Sequence, residues 1–223
     1  MSDGAQGPNA AYVPRRLRIG VLALQGDFRE HAEMLRRVGA EPVEVRRADQ
    51  LEGIDGLIIP GGESTTIGKL MVTYNLLEPL RRLIEGGRPV WGTCAGMILL
   101  AEDIGGLDQP LLGGLHVRVK RNAFGRQLDS FETDIPMPAV GADPIHAVFI
   151  RAPWVEAAGP DVEVLGRLED GTVVAVRQGH LLGTSFHPEL TGDPRFHEYF
   201  LHMCDAPESS ALASAGSGSE TTA

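Results

Sequence analysis

A cysteine between two glycines and a distant histidine–glutamate pair are the residues of this chain best suited to nucleophilic chemistry. Residues 92–96 read Gly-Thr-Cys-Ala-Gly and follow a short apolar run that ends at Trp91. A helical pattern comes next, so the segment predicts a tight strand-to-helix turn with the Cys94 thiol at a helix N-terminus. The helix dipole at that position favours the thiolate, which is the nucleophilic form of cysteine.

The segment His187-Pro188-Glu189 supplies a base and a carboxylate that can orient it. Proline disfavours the helical conformation of the residue before it, so we expect His187 to be extended. Side chains two residues apart in an extended segment point to one side, which brings Glu189 to one imidazole nitrogen and leaves the other for Cys94. Cys94, His187 and Glu189 are therefore predicted to form a catalytic triad, against the alternative of a buried structural cysteine and a surface histidine.

Further stretches of the chain resemble the motifs of one enzyme family, in the family's order. Residues 24–31 read Leu-Gln-Gly-Asp-Phe-Arg-Glu-His, residues 60–66 read Pro-Gly-Gly-Glu-Ser-Thr-Thr, residues 121–127 read Arg-Asn-Ala-Phe-Gly-Arg-Gln and residues 149–153 read Phe-Ile-Arg-Ala-Pro. With the cysteine turn and the His-Pro-Glu segment, they resemble the glutaminase subunit of the deoxyxylulose-independent pyridoxal 5′-phosphate synthase, a triad-type class I glutamine amidotransferase. The resemblance runs from about Leu17 to Cys204.

This resemblance implies a reaction and a partner. Cys94 would attack the side-chain carbonyl of L-glutamine, and the thioester would be hydrolysed to glutamate with release of ammonia. The ammonia would pass to a synthase subunit that makes pyridoxal 5′-phosphate from a pentose phosphate and a triose phosphate. In the family two rings of six synthase subunits carry the glutaminases, which gives twelve of each. The glutaminase itself needs no cofactor and no metal.

The resemblance also implies a substrate pocket. Its glutamine contacts would be Gly62, Glu63, Ser64, Arg121, Ile150 and Arg151. An arginine suits the substrate carboxylate through charge-assisted hydrogen bonds, but the sequence does not choose between the two arginines. The oxyanion needs preorganised donors, for which the N–H of Ala95 and an N–H of the glycine loop at Gly62 are candidates. The family adds Gln25, whose alternative role is an ordinary polar residue at a strand end.

The remaining histidines are expected to be non-catalytic. His31 lies on the first predicted helix, and the resemblance places it near the partner surface, with a solvated helix face as the alternative. The others form no spacing typical of zinc ligands: His116, His146, His180, His197 and His202.

The composition excludes several classes of protein. The 223 residues suffice for one sizeable core, and the net charge of −10 does not suit a nucleic-acid-binding surface. Two cysteines do not indicate a disulfide framework and fit a reducing compartment. No apolar run is long enough to span a membrane, and residues 1–14 lack the form of a signal peptide. A cytoplasmic location is therefore expected.

The pattern of elements predicts an α/β fold, a flavodoxin-like doubly wound and mostly parallel sheet with added antiparallel strands, which is the class I glutamine amidotransferase fold. The parallel part consists of strands 18–24, 42–45, 56–59 and 90–91 and helices 28–38, 67–74 and 76–84. Strands 116–119 and 130–135 are expected to be added antiparallel, before strands 162–165, 172–176 and 180–185 and a closing helix 194–203. The domain is predicted to span 17–204, between an N-terminal extension (1–16) and a tail (205–223) that are poor in residues to bury.

Two alternatives stay open from the sequence. One is an amidotransferase of another pathway, such as histidine, purine or pyrimidine synthesis, which would keep the same triad. The other is a non-catalytic or chaperone-like relative of the flavodoxin-like fold with a reactive cysteine, a kind of protein that does not need the His-Pro-Glu segment.

Overall fold

The computed structural model of the chain describes residues 15–121 and 130–205. Its strands are β1 (Arg18–Leu22), β2 (Glu41–Val45), β3 (Gly56–Ile59), β4 (Val90–Thr93), β5 (Ala101–Asp103), β6 (Leu115–Lys120), β7 (Ser130–Ile135), β8 (Ile145–Ile150), β9 (Trp154–Ala158), β10 (Glu163–Arg167), β11 (Val173–Gln178) and β12 (Leu181–Thr184). Its α-helices are α1 (Phe28–Arg37), α2 (Ser64–Thr73), α3 (Leu77–Glu85), α4 (Ala95–Leu100) and α5 (Arg195–Asp205). The predicted N-terminal extension and tail lie almost entirely outside the described residues.

Ten of the strands form one sheet in which the strand order separates a parallel part from an antiparallel part. The order runs β2-β1-β3-β4-β12-β11-β9-β6-β5, with β10 paired to β11. The pairs from β2 to β12 are parallel. The pairs β12–β11, β11–β9 and β9–β6 are antiparallel. The predicted mostly parallel core with added antiparallel strands is therefore confirmed.

Helices cover both faces of the parallel part, as the apolar runs in its strands require. Successive residues of β3 point to opposite faces, so Ile58 packs with Trp91 and with Phe200 of α5. Its neighbours Leu57 and Ile59 pack into the other core, which α2, α3 and α4 close. The sheet is doubly wound, with α1 and α5 on one face and α2 to α4 on the other.

The hairpin β7–β8 is the main departure from the predicted topology. Strand β7 was expected to extend the large sheet, but it pairs only with β8 in a separate two-stranded sheet. Phe131 of β7 stacks on Phe149 of β8 with ring centroids 4.5 Å apart, and Phe149 in turn packs against Phe186. The hairpin thus buries its apolar side against the segment after β12 rather than at a sheet edge. Strands β5, β8 and β9 were not predicted.

Helix α2 begins at Ser64, three residues before the predicted start. The Glu63 carboxylate accepts hydrogen bonds from the backbone N–H groups of Thr65 and Thr66, which caps the helix. Ser and Thr are weak helix formers, and the periodicity of apolar residues starts only at Ile67. The cap therefore decides where the helix starts.

Four adjacent parallel strands deliver the predicted site residues to one edge of the sheet. The segments after β1, β3, β4 and β12 begin at the carboxyl ends of their strands, where ligands bind in sheets of this kind. They carry Gln25, the loop at residues 61–63, Cys94 and His187. None of the helices that the structure describes has the length and apolar character needed to cross a bilayer.

Candidate active site

Cys94 occupies a strained turn between β4 and α4. Its φ of 48° and ψ of −105° are unusual for a residue with a side chain. The Cys94 N–H donates to the Thr184 carbonyl at 2.7 Å, which ties the turn to β12. A side chain at Gly96 would overlap the Ile59 carbonyl, so the tight turn requires glycine there. The predicted strand-to-helix turn is confirmed, and the thiol is 6% exposed at its apex.

His187 and Glu189 follow β12 and contact each other directly. His187 Nδ1 lies 2.7 Å from Glu189 Oε1, and both side chains are buried. His187 is non-helical, with φ of −111° and ψ of 84°, as expected of a residue before proline, but the expected extended path through Glu189 was wrong, because residues 188–190 form a short 3₁₀ turn. Proline suits the first position of such a turn, since its ring fixes φ at a helical value and its missing N–H is not needed. The turn, not strand alternation, brings the carboxylate to the imidazole.

Hydrogen bonds favour the protonated form of His187 despite its burial. Burial alone would lower the pKa of the imidazole, but its hydrogen bonds to Cys94 and Glu189 outweigh burial and raise the pKa to about 10. Burial raises the pKa of Glu189, against the lowering effect of the His187 hydrogen bond. His187 therefore has the proton affinity needed of a base beside the Cys94 thiol.

The glycine loop after β3 packs directly on His187 and Gln25. A Cβ at Gly61 would collide with the His187 imidazole, and one at Gly62 would lie 2.5 Å from Gln25 Oε1. Gly62 has φ of +148°, a conformation that side chains rarely adopt. Gln25 Oε1 accepts the Glu63 N–H at 2.8 Å and holds the loop against β1. Opposite the loop, α4 begins at Ala95, and the first N–H groups of a helix have no partner within it.

Three of the expected glutamine contacts cluster at the start of α2. Arg121 Nη2 lies 3.2 Å from Glu63 Oε1, and its Nη1 donates to Gln109 Oε1 at 3.0 Å. The Ser64 hydroxyl donates to the same Gln109 oxygen at 3.2 Å. Partial burial would raise the pKa of Glu63, but hydrogen bonds from Thr66 and from Thr65 lower it to about 2. The other residues of the 121–127 motif lie outside the described residues.

The remaining two expected contacts, Ile150 and Arg151, lie at the end of β8 and directly after it. The Ile150 carbonyl oxygen is 4.0 Å from Cys94 Sγ, so Ile150 faces the thiol with its backbone. Arg151 has φ of +44° and an exposed side chain. Its guanidinium makes no ion pair within the described ranges, whereas that of Arg121 is paired with Glu63.

Sequence reasoning missed two residues that touch the triad. Asp27 Oδ2 lies 3.4 Å from His187 Nδ1, and burial raises the pKa of the Asp27 carboxyl. His31 was expected on a solvated or partner-facing surface, and this was wrong, because it is 0% exposed and lies 3.3 Å from Glu189 Oε2. The helical spacing of Ala32 and Leu35 placed the buried face of α1 next to His31. Because histidine is polar, the sequence pattern did not assign His31 to that face.

Asp27, His187 and Glu189 also have the geometry of a possible metal site. One ligand atom from each lies within 4.8 Å of the others. His187 Nδ1 and Glu189 Oε1 already share a hydrogen bond, so a cation would have to displace the proton that orients the imidazole. The arrangement therefore fits the triad better than a metal centre.

Comparisons with known proteins identify the family of the chain. The sequence profile of the SNO glutamine amidotransferase family matches residues 21–206. The pyridoxal 5′-phosphate synthase subunit PdxT of Moorella thermoacetica is 64% identical over 84% of this chain and 99% of the relative. PdxT of Frankia alni is 63% identical over 83% of this chain and 94% of the relative.

Solved structures extend the likeness to the fold. A crystal structure of a glutamine amidotransferase has a TM-score of 0.80 and 54% identity, covering 84% of this chain and 99% of that one. The PurLQS structure from Thermotoga maritima has a TM-score of 0.64 at 17% identity, covering 84% and 99%, and is similar in fold alone.

Proposed function

The chain belongs to the SNO glutamine amidotransferase family, and on that premise we propose that Cys94, His187 and Glu189 are the triad with which it hydrolyses L-glutamine. The observation that carries the proposal is the contact of His187 with Glu189 at 2.7 Å beside a thiol in a strained turn. The chain is the glutaminase subunit of a pyridoxal 5′-phosphate synthase, and it releases L-glutamate and ammonia.

The residues around the thiol are proposed to contact different parts of the glutamine substrate. One of the two arginines, Arg121 or Arg151, is expected to pair with the substrate α-carboxylate, and the ion pair that already engages Arg121 with Glu63 favours Arg151 for this contact. Gly62, Glu63 and Ser64 line the loop side of the pocket. The Ile150 carbonyl, beside the thiol, accepts a hydrogen bond from the substrate.

The reaction proceeds through a covalent thioester. The Cys94 thiolate attacks the side-chain carbonyl carbon, and the negative charge on its oxygen is stabilised by N–H donors at Ala95 and Gly62, with Gln25 as a third candidate. His187 then gives its proton to the leaving nitrogen, so that the C–N bond breaks and ammonia departs. His187 next takes a proton from water, which attacks the thioester and frees glutamate and the thiol.

The ammonia is delivered to the synthase subunit, which makes pyridoxal 5′-phosphate. Ammonia is mostly protonated near neutral pH and is then no nucleophile, so direct transfer keeps it reactive. An assembly of twelve subunits of each kind in two rings of six is proposed from the family. A cytoplasmic location is proposed too, because the mechanism needs a reduced Cys94 and reducing compartments keep thiols reduced.

Release of glutamate from glutamine tests this function. Wild type and Cys94→Ala are assayed with and without the synthase subunit. We expect release that the subunit stimulates and that Cys94→Ala abolishes. The isolated chain is expected to be slow, because in the family the binding of the synthase subunit tends to complete the oxyanion hole. Full activity in Cys94→Ala would overturn the proposal, and release without stimulation would point to a different synthase.

A further inference from the structure

Two histidines lie buried behind the triad, and the proposed mechanism uses neither of them. His31 of α1 and His197 of α5 are both 0% exposed. The Trp91 ring meets them edge-on, with centroids 5.6 Å from His31 and 5.0 Å from His197. Burying two imidazoles among aromatic rings is unfavourable unless their nitrogens are hydrogen-bonded. The contacts of their ring nitrogens therefore indicate the role of the two histidines.

The two imidazoles form a series of polar contacts that leads from Glu189 into the core. His31 Nδ1 lies 3.0 Å from His197 Nε2. The other nitrogen of His31, Nε2, lies 3.3 Å from Glu189 Oε2 and 3.2 Å from Thr93 Oγ1. Within the described ranges, Glu189 Oε2 is a buried acceptor that forms no hydrogen bond, because its contact with His31 Nε2 lacks hydrogen-bond geometry and the other oxygen, Oε1, is the one that His187 contacts.

One protonation pattern fits all of these contacts. Burial lowers the pKa of both His31 and His197, so each ring is neutral and carries one N–H and one acceptor nitrogen. If His31 Nε2 carries the hydrogen, it faces both Thr93 Oγ1, its hydrogen-bond partner, and the Glu189 carboxylate, and Nδ1 accepts the Nε2–H of His197. His197 Nδ1 is then a bare acceptor, and among the described residues it is a buried ring nitrogen without a partner.

The opposite tautomer of His31 is disfavoured by the same contacts. A hydrogen on His31 Nδ1 would turn the Nε2 lone pair towards the Glu189 carboxylate. It would also require His197 to accept at Nε2 and to bury an N–H at Nδ1 with no acceptor. A buried donor left without a partner is costly.

We propose that His31 is a positioning residue of the triad, which donates its Nε2–H to Glu189 Oε2 while His197 fixes its tautomer. This inference rests on the proposed function. A carboxylate held at both oxygens cannot rotate away from His187, so the imidazole keeps the orientation that serves Cys94. The titratable groups facing His31 are His197, His187 and Glu189.

Two amide variants separate this role from simple packing. The amide of Gln reaches the position of an imidazole Nε2, whereas that of Asn reaches only the position of Nδ1. In the complex with the synthase subunit, His31→Gln should stay within about threefold of the wild-type kcat. His31→Asn should lose about tenfold to a hundredfold in kcat, as orienting partners of active-site ligands typically do, with KM for glutamine unchanged. The exposed His202→Gln on α5 is the control and should match wild type.

The outcomes distinguish this inference from the proposed function. If wild type releases glutamate and both His31 variants match it, His31 has no positioning role. If wild type releases none, the proposed function itself fails. Because His31→Asn could also unfold, long-range ¹H–¹⁵N spectra of the wild-type chain provide an independent test. They should show His31 protonated at Nε2, and protonation at Nδ1 would overturn the proposal.

Discussion

At the scale of single residues, the reactivity of Cys94 depends on whether the proton shared with His187 lies on the imidazole or on the thiol. His187 has a pKa raised to about 10 by Cys94 and Glu189, despite the opposing effect of burial. Asp27 adds a second carboxylate 3.4 Å from the same nitrogen. In the proposed mechanism the protonated His187 is the acid that the leaving nitrogen needs.

The role of Glu189 is tested by Glu189→Gln. The amide has nearly the shape of the carboxylate but can present an N–H to His187 Nδ1, which would favour the wrong tautomer. We expect kcat for glutamate release to fall about 10³- to 10⁴-fold with little change in KM, as when the orienting acid of a triad is lost. Steady-state kinetics of the complex measure this. Turnover close to wild type would remove Glu189 from the triad.

Single residues also show where the sequence was sufficient and where it was not. The triad could be proposed because Gly-Thr-Cys-Ala-Gly and His-Pro-Glu are local motifs whose chemistry can be read without a fold. Asp27 and His31 could not, because each acquires its role only when α1 packs beside residues more than 150 positions away in the chain. Distances of that kind are set by tertiary packing.

At the scale of elements, the turn between β4 and α4 depends on close contact with β3. A Cβ at Gly96 would meet the backbone of Ile59, which belongs to the sheet and cannot yield. Gly96→Ala is expected to lower the free energy of unfolding by about 3 kcal/mol or more, as severe overpacking does. Urea denaturation measures the change. Gly192→Ala is the control, because nothing lies within 4 Å of its added methyl group, and an equal loss there would contradict the explanation.

The packing of α5 against α1 should make the protein sensitive to acid. Burial lowers the pKa of His197 to about 3, whereas an unfolded histidine titrates near 6.5. At a pH between these two pKa values, His197 is protonated in the unfolded chain but not in the native state. The free energy of unfolding should therefore fall as pH decreases from about 6.5 towards 3, by up to about 1.4 kcal/mol per pH unit for this group.

Denaturation as a function of pH checks that dependence. His197→Gln cannot take up a proton, so its stability should fall less steeply than that of wild type over the same interval. His31 contributes with the same sign, so some slope should remain. His202→Gln is expected to follow wild type. A slope unchanged by His197→Gln would show that the buried imidazole is not the acid-sensitive group.

Among the elements, the parallel strands were easier to predict than the hairpin. Strands β1, β3 and β4 are short apolar runs followed by helical patterns, a form that indicates a buried parallel sheet. In β8 the alternate residues Ile145, Ala147 and Phe149 are buried, so the signal was present but modest. What the pattern could not reveal is that β7 and β8 pair with each other and leave the large sheet.

At the scale of the whole molecule, the doubly wound sheet brings four loops from distant parts of the chain to one edge. The first carries Gln25 and the last carries Glu189, so the site exists only when the sheet is complete. The antiparallel strands lie beyond β12, and the hairpin β7–β8 that packs near them supplies the Ile150 carbonyl beside the thiol. The loops of the parallel core therefore hold the three residues of the proposed triad, and the hairpin adds a backbone carbonyl beside the thiol.

The most direct test of the account is to capture the covalent intermediate in the assembled complex. Glutamine is mixed with the chain and its synthase subunit, the reaction is quenched in acid, and peptides are analysed by mass spectrometry. We predict one γ-glutamyl group on the peptide that contains Cys94, none on the peptide that contains Cys204, and slower loss of the adduct in Glu189→Gln. Turnover with an unmodified Cys94, or an adduct on Cys204 instead, would contradict the central claim.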